Sequence, residues 1–176
     1  MIYIVLGRKI AKFIITRLPF KTMDTSASKN LKNIIDIFFK QLTELGSLTI
    51  ISAMIIFTFF LDTSLALKLL VGIAAATIIS MIIKALFFRA RPKKQSINTI
   101  IDRIDASSFP SVHSARITIL VFLLAAYIAD IWLTIFLMIL GALVAYSRIY
   151  MKRHYYSDVI GGIVLGMIIS VIIYII

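Results

Sequence analysis

Long apolar runs separated by short polar segments dominate the chain. Such runs extend over Leu45–Leu61, Leu65–Phe88, Ser114–Ala129, Ile131–Tyr146 and Asp158–Ile176. Each approaches the roughly 20 residues that a helix needs to cross the hydrocarbon core of a bilayer. The pattern therefore predicts five transmembrane helices, of which the first two form an antiparallel hairpin with a tight turn at residues 62–64.

The region before the first run carries too many charges for a clear membrane span. Residues 1–20 combine isoleucine, leucine and phenylalanine with four basic residues, Arg8, Lys9, Lys12 and Arg17. We expect region 1–23 to be an interfacial helix or a marginal first span, which would raise the number of crossings to six. Its apolar residues precede its charges, the reverse of a cleaved signal peptide. Residues 24–47 repeat apolar positions every three to four residues, which predicts an amphipathic helix on the membrane surface.

Composition agrees with this pattern. The 176 residues are 61% hydrophobic and 15% charged, whereas soluble domains average ~45–50% apolar and ~25% charged residues. We therefore expect an all-α integral membrane protein, a helical bundle in which residues 24–176 form one domain. The chain has no cysteine, which excludes a disulfide framework, a thiolate zinc site and a cysteine nucleophile.

Five crossings would bring most of the charge to one membrane face. The basic loop 89–113 and the segment 147–158 fall on the same face, because an even number of spans separates them. Of the 19 Lys and Arg, only Lys68 would lie on the other face. The positive-inside rule alone would place such a basic face in the cytoplasm.

Three short stretches at this face hold most of the candidate chemistry. They are "KALFFRARP" (Lys84–Pro92), "FPSVHS" (Phe109–Ser114) and "SRIYMKRHYYSD" (Ser147–Asp158). Several cations that converge at a membrane boundary favour an anionic ligand, and arginine forks suit tetrahedral oxyanions such as phosphate. A phosphate-bearing lipid is the ligand we expect, with the bilayer as the other partner and no nucleic acid.

The second stretch predicts a helix start that could hold phosphate oxygens. Pro110 is a favourable first residue for the third span, and the first amides of a helix have no acceptor within it. Together with the helix dipole, these amides form an anion site. The hydroxyl of Ser111 and the amide of Val112 are the predicted ligands.

The third stretch predicts a nucleophile. His154 and Asp158 are four residues apart, so an early start of the last helix would place both on one face. The carboxylate could then accept a hydrogen bond from one imidazole nitrogen and leave the other free to attack phosphorus. His113, from a different helix end, could donate a proton to the leaving oxygen.

These stretches resemble the three signature motifs of the type 2 phosphatidic acid phosphatase family, relatives of the vanadium haloperoxidases. The first motif, Lys, six residues and Arg-Pro, is matched by Lys84, Arg91 and Pro92. The second, Pro-Ser-Gly-His, is matched by Pro110, Ser111, Val112 and His113. The third, Ser-Arg, five residues, His, three residues and Asp, is matched by Ser147, Arg148, His154 and Asp158. The segment "LTELGS" before the first span is also similar, so the likeness covers about residues 24–176.

The resemblance implies hydrolysis of a phosphomonoester or pyrophosphate without a metal or other cofactor, through a phosphohistidine. It implies that His154 is the nucleophile, that Asp158 orients it and that His113 is the general acid. It also implies phosphate binding by four residues, Lys84, Arg91, Ser111 and Arg148. The chain departs from the family at Val112, where glycine is usual, because a β-branched residue tolerates positive φ badly and limits close approach of a ligand.

Other residues of this face have simpler explanations. Five basic residues suit the positive-inside rule, namely Arg89, Lys93, Lys94, Lys152 and Arg153. Four tyrosines suit an interfacial aromatic belt, namely Tyr146, Tyr150, Tyr155 and Tyr156. Three glycines of the last span suit close helix packing, namely Gly161, Gly162 and Gly166.

Two other functions would use the same cations. An anion transporter predicts ionisable groups near the middle of spans, whereas here they gather at one boundary. An inactive phosphate-binding scaffold is supported by Val112 alone. Vanadate would suit the same ligands, but the lipid setting favours a phosphatase.

The substrate that the resemblance implies is an isoprenoid pyrophosphate or a glycerophospholipid phosphate, such as phosphatidylglycerol phosphate or phosphatidic acid. The sequence does not choose between them, and it does not indicate an oligomeric state. The family commonly works at the extracytoplasmic face, in conflict with the charge asymmetry. We follow the family and expect the site at the extracytoplasmic face.

Overall fold

The computed structural model describes residues 25–93 and 99–176. All regular elements of these residues are helices. Their bounds are α1 Thr25–Glu44, α2 Leu48–Leu61, α3 Thr63–Leu86, α4 Ile100–Ala106, α5 Val112–Ile128, α6 Ile131–Tyr150 and α7 Tyr156–Ile175. The expected interfacial helix or first span at 1–23, its boundary with a domain at 24, and Lys94 lie outside the described residues.

Each of the five predicted spans corresponds to an apolar helix, α2, α3, α5, α6 or α7. Among the described residues, α3, α6 and α7 are long and apolar enough to cross a membrane. The bent pair Ser28–Glu44 and Leu48–Leu61 adds a fourth crossing if it is counted as one span. The helix α5 is apolar but has only 17 residues. Length and composition therefore give three to four crossings, fewer than the predicted five or six.

The outer surfaces of these helices are apolar. Phe60 on α2 is 81% exposed and Trp132 at the start of α6 is 76% exposed. In water such side chains would be costly to expose, whereas hydrocarbon solvates them well. The protein is an integral membrane protein, as its composition predicts.

The chain divides into two compact units, Met1–Ile37 and Phe38–Ile176. The second unit is built around α5, which packs against α3, α6 and α7. Its core contains buried leucine, isoleucine, valine and alanine side chains from these helices, such as Leu69, Ile119 and Val144. Because α5 contacts three neighbours, its first residues are held from several sides.

Two of the glycines in α7 let that helix lie close to α5. A Cβ atom on Gly162 would overlap the carbonyl oxygen of Ser111, and one on Gly166 would lie 2.6 Å from the carbonyl oxygen of Ala115. Gly161 faces the ring of Phe109 in the same way. The prediction that these glycines permit close packing is confirmed.

The connections between helices are shorter and more structured than the sequence predicts. Asp62 ends α2 and also caps α3, accepting a hydrogen bond from the Leu65 amide at 2.8 Å, so one residue replaces the predicted three-residue turn. The loop 89–113, predicted as a polar connection, contains α4, whose start is capped reciprocally by Thr99 and Asp102. Ile104, an apolar residue of this loop, belongs to this short helix.

Candidate active site

A cavity of about 260 Å³ lies where the described ends of α3, α5 and α6 meet the loops that follow α3 and α6. Six residues predicted for the site line it: Lys84, Arg91, Val112, His113, Arg148 and His154. Six further residues complete the lining: Thr77, Met81, Ile104, Asp105, Arg116 and Arg153. The three separated sequence stretches therefore contribute to one cavity.

A larger cavity of about 540 Å³ lies between α5, α6 and α7. Its lining is almost wholly apolar and includes Phe122, Met138 and Met167. None of its lining residues is titratable. This larger cavity therefore supplies no general acid or base.

Two arginines of the smaller cavity keep donors unpaired. The Nε atoms of Arg91 and Arg148 are buried and have no hydrogen-bond partner among the described residues. One end of the Arg148 guanidinium is fixed, because its Nη1 donates to Thr43 Oγ1 at 2.7 Å. A buried donor without a partner costs free energy unless a ligand satisfies it. The cavity is therefore suited to an oxyanion.

The turn after α6 places the His154 imidazole in this cavity. The amides of Arg153 and His154 both donate to the Arg148 carbonyl oxygen, at 3.0 and 3.2 Å, and Lys152 has a φ of 54°. This tight turn returns the chain over the end of α6. His154 is 3% exposed, so its ring is buried beside the cations.

The hydrogen bond predicted between His154 and Asp158 is not formed. Nδ1 of His154 lies 2.8 Å from the carbonyl oxygen of Ser108 and 3.8 Å from Asp158 Oδ2. The last helix begins at Tyr156, so His154 precedes it and the four-residue helical spacing does not apply. Since a carbonyl only accepts, Nδ1 carries the proton and Nε2 has the lone pair.

The surroundings of His154 favour its neutral form. Burial, followed by the charges of Arg148, Arg91 and Lys84, lowers the pKa of its imidazole well below the usual range. The hydrogen bond with Ser108 opposes this effect. At neutral pH the ring is therefore uncharged, as a nucleophile requires.

Asp158 is fully buried and joins three segments. Its carboxylate accepts from Arg89 Nη1 and from the Tyr155 amide, both at 2.8 Å. Its carbonyl oxygen accepts from the Ser111 amide at 2.9 Å. Arg89, for which the positive-inside rule gave a sufficient explanation, is thus the ion-pair partner of Asp158. Together these bonds tie the loop after α3 to the starts of α5 and α7.

Helix α5 begins at Val112, not at Pro110 as predicted, and Ser111 is its N-cap. The buried Ser111 Oγ accepts from the Ser114 amide at 3.4 Å and from the Ser114 hydroxyl at 2.9 Å. Ser111 is not among the lining residues, whereas Val112 is. Val112 has no positive φ, so valine in the place of the family glycine causes no backbone strain.

The ring of His113 is packed by the turn between α1 and α2. A Cβ atom on Gly46 would lie 3.2 Å from His113 Cδ2 and 3.3 Å from Val144 Cγ1. Glycine therefore lets this turn approach the ring closely. This is the structural role of the "LTELGS" segment, which also supplies Thr43 to Arg148.

Several residues of the site are not evident from the sequence motifs. Arg116 follows His113 by three residues, a spacing that places both on one helix face, and this spacing could have revealed it. Arg153 was assigned to topology but lines the cavity. Ser108 acts through its backbone carbonyl, for which side-chain patterns carry no signal.

Known proteins resemble this chain in sequence and in fold. A curated relative, the Escherichia coli (strain K12) protein YbjG, bears the name of a proposed undecaprenyl-diphosphatase and is 29% identical over 107 residues. The alignment covers 59% of this chain and 52% of the relative, so the chain spans about half of that protein's length.

Two solved structures share the fold. The crystal structure of Aquifex aeolicus LpxE has a TM-score of 0.70 and 25% identity, covering 81% of this chain and 87% of that chain. The PAP2-type phosphatidylglycerolphosphate phosphatase from Bacillus subtilis has a TM-score of 0.66 and 20% identity, covering 80% of this chain and 75% of that chain.

Residues 65–176 match the family model described as PAP2 superfamily. The match includes all three motifs around the cavity and more than half of the sequence, so the chain belongs to the PAP2 superfamily, as its motifs predict.

Proposed function

We propose that this protein is a lipid phosphatase that removes the terminal phosphate of a membrane lipid through a phosphohistidine intermediate. The observation that carries the proposal is the pair of unpaired, buried Nε donors of Arg91 and Arg148 in the cavity that also holds a neutral His154. Oxyanion donors beside an uncharged nucleophile are what phosphoryl transfer to an imidazole needs.

In the first step, Nε2 of His154 attacks phosphorus and the bond from phosphorus to the leaving oxygen breaks. The bound phosphate dianion offsets the surrounding cations and stabilises protonated His113, which gives its proton to that oxygen, so the lipid leaves as an alcohol or a phosphate. Because Nδ1 keeps its proton, the phosphohistidine carries a positive charge. The Asp158 carboxylate, 3.8 Å away, stabilises that charge without a direct hydrogen bond. Water, activated by the deprotonated His113, then releases phosphate and restores both rings.

The phosphoryl oxygens bind to the cations of the three motifs, Lys84, Arg91 and Arg148. The Val112 amide, first in α5 and without an acceptor in the helix, adds a donor. Ser111 contributes by capping that helix and fixing the position of the amide. The charge of the developing transition state is thus met by groups that are already in place.

The charge of the cavity supports a mechanism without a metal ion. Five cationic side chains line it, Lys84, Arg91, Arg116, Arg148 and Arg153, against one carboxylate, that of Asp105. Within the described ranges no three His, Cys, Asp or Glu side chains are grouped as metal ligands. A divalent cation would be repelled, whereas a phosphate dianion is attracted.

Phosphate release from detergent-solubilised lipids tests the proposal. We expect the purified protein to hydrolyse at least one of three classes: isoprenoid diphosphates, phosphatidylglycerol phosphate and phosphatidic acid. The chelator EDTA should change the rate less than about twofold, because no step uses a metal ion. Release from none of the lipids would refute the phosphatase assignment, and loss of release with EDTA would refute the histidine mechanism.

We further propose five crossings, by α2, α3, α5, α6 and α7, with the cavity at the extracytoplasmic face. The cavity lies at the end of α3, the start of α5 and the end of α6, and in the proposed arrangement α5 carries the chain across the membrane to the face from which α6 starts. The lining cations are explained by ligand binding, which weakens the charge argument for a cytoplasmic face.

The absence of native cysteine makes this arrangement testable by labelling. We expect an impermeant thiol reagent to label Lys93→Cys in intact cells, and Ser64→Cys and Trp132→Cys only after permeabilisation. Labelling of Lys93→Cys only after permeabilisation would place the site in the cytoplasm. Labelling of Trp132→Cys from the same side as Lys93→Cys would show that α5 does not cross.

A further inference from the structure

Arg116 is a buried cation that none of the three motifs includes. It lies on α5 and is 8% exposed. Its Nε and Nη2 donate to the same atom, Thr77 Oγ1 on α3, at 3.2 and 3.1 Å. The Thr77 hydroxyl gives its own proton to the Ile73 carbonyl oxygen at 2.7 Å, so its lone pairs are available to Arg116.

This pairing leaves the charge of Arg116 uncompensated. Its two hydrogen bonds go to a neutral hydroxyl, and no carboxylate of the described residues lies within ion-pair distance of it. A buried charge is costly without an opposite charge, and inside a membrane it indicates a functional site. Since Arg116 lines the phosphate cavity, an anionic ligand is the compensation that the geometry offers.

Arg116 lies near the proposed acid along α5. It follows His113, the proposed acid, by one helical turn on the same face of α5. Arg116 and His113 both line the cavity from α5, whereas His154 lines it from the loop after α6. Arg116 is therefore associated with the acid and the leaving oxygen more than with the nucleophile.

Arg116 also lies deeper along the helices than the motif residues do. Three residues of α5 separate it from His113, a rise of about 4.5 Å, and its anchor Thr77 precedes Lys84 by seven residues, about 10 Å along α3. The hydrocarbon tail of a lipid substrate lies on this deeper side. A charged group between the scissile bond and the tail would therefore meet Arg116.

We propose that Arg116, held by Thr77, binds the inner phosphate of a lipid diphosphate and makes the enzyme selective for diphosphates over monophosphates. This inference rests on the proposed phosphatase function. His154 Nε2 bonds to the outer phosphorus, the bond from that phosphorus to the bridging oxygen breaks, and His113 protonates this oxygen. The lipid monophosphate leaves against Arg116, and water then hydrolyses the phosphohistidine to inorganic phosphate.

The test uses two substrates with one tail, farnesyl diphosphate and farnesyl monophosphate. The quantity measured is the ratio of two kcat/KM values, that for the diphosphate divided by that for the monophosphate. We expect Arg116→Gln to lower this ratio by about tenfold to a hundredfold, because the variant loses one charge-assisted hydrogen bond to the inner phosphate. Thr77→Val should lower the ratio less, mainly through KM, and Arg116→Lys should restore part of it. Lys40→Gln, an exposed cation on α1, is the matched control and should leave the ratio unchanged.

Phosphatidylglycerol phosphate provides a third arm, because glycerol separates its two phosphates. We expect the kcat/KM for this lipid, divided by that for farnesyl monophosphate, to differ less than about threefold between the wild type and Arg116→Gln. The reason is that the glycerol spacer moves the second phosphate away from Arg116. An equal loss for diphosphate and monophosphate would overturn the inference. If Arg116→Gln fails to fold, the other two variants decide. The inference would be overturned if Arg116→Lys and Thr77→Val both kept the wild-type ratio of diphosphate to monophosphate kcat/KM. Inactivity of the wild type on every lipid would instead refute the phosphatase function itself.

Discussion

His154→Gln is expected to abolish phosphate release, with a fall in kcat of about 10³-fold or more. Glutamine keeps a polar side chain of similar reach but has no nitrogen that can attack phosphorus. The Ser108 carbonyl holds Nδ1 of His154 at 2.8 Å, which leaves Nε2 free to attack, and glutamine offers no equivalent lone pair on nitrogen. The measurement is release of inorganic phosphate from the best lipid of the panel, together with alkaline quenching to detect phosphoenzyme.

The wild type should form a phosphoenzyme that is labile in acid and stable in base, and His154→Gln should form none.

Asp158→Asn keeps the shape of the site but removes the charge 3.8 Å from Nδ1 of His154, so we expect a smaller fall in kcat of about 10-fold to 100-fold. Lys40→Gln is again the control. Turnover by His154→Gln within tenfold of the wild type would show that another group is the nucleophile.

Gly162→Ala is expected to cost both stability and activity, although alanine normally favours helices. The added Cβ would overlap the Ser111 carbonyl oxygen, a backbone atom that cannot rotate away. Overpacking of this kind costs about 1–3 kcal/mol, which exceeds the gain of up to about 1 kcal/mol in helix propensity. The start of α5 must therefore shift, and His113 moves with it. A displacement near 1 Å can lower kcat by about 10²-fold.

Gly141→Ala is the matched control for this prediction. Its Cβ would meet a side-chain methyl group, Val121 Cγ2, at 3.0 Å, and a side chain can yield where a carbonyl cannot. We expect Gly141→Ala to retain most activity. The measurements are Tm in detergent and kcat on the same lipid. A Gly162→Ala protein with wild-type Tm and kcat would mean that α5 and α7 can separate without disturbing the site.

The membrane helices and the motif residues were predictable because their signals are local. An apolar run of about 20 residues has few alternatives to a buried or membrane-embedded helix. Likewise, the motif spacings along the chain predicted five side chains that the structure places at one cavity, Lys84, Arg91, His113, Arg148 and His154. The predicted bounds of α3 and α7 differ from the observed ones by only two residues.

The partners of these residues were not predictable in the same way. Asp158 was expected to bond His154, yet it pairs with Arg89, which lies 69 residues earlier, and Ser108 takes its place at the ring. Both contacts depend on how the loop after α3 folds against the start of α7. The order of residues along the chain carries no information on that packing.

The sequence by itself determined the membrane class, the helical segments and the chemical groups of the site, because hydropathy and motif spacing act over a few turns. Only the tertiary structure decided which group holds each reactive atom, because a hydrogen bond requires two atoms within about 3 Å and such proximity arises from packing. Arg116 shows the difference clearly. Its charge is visible in the sequence, but its burial, its bond to Thr77 and its place in the cavity exist only once α3 and α5 are packed together.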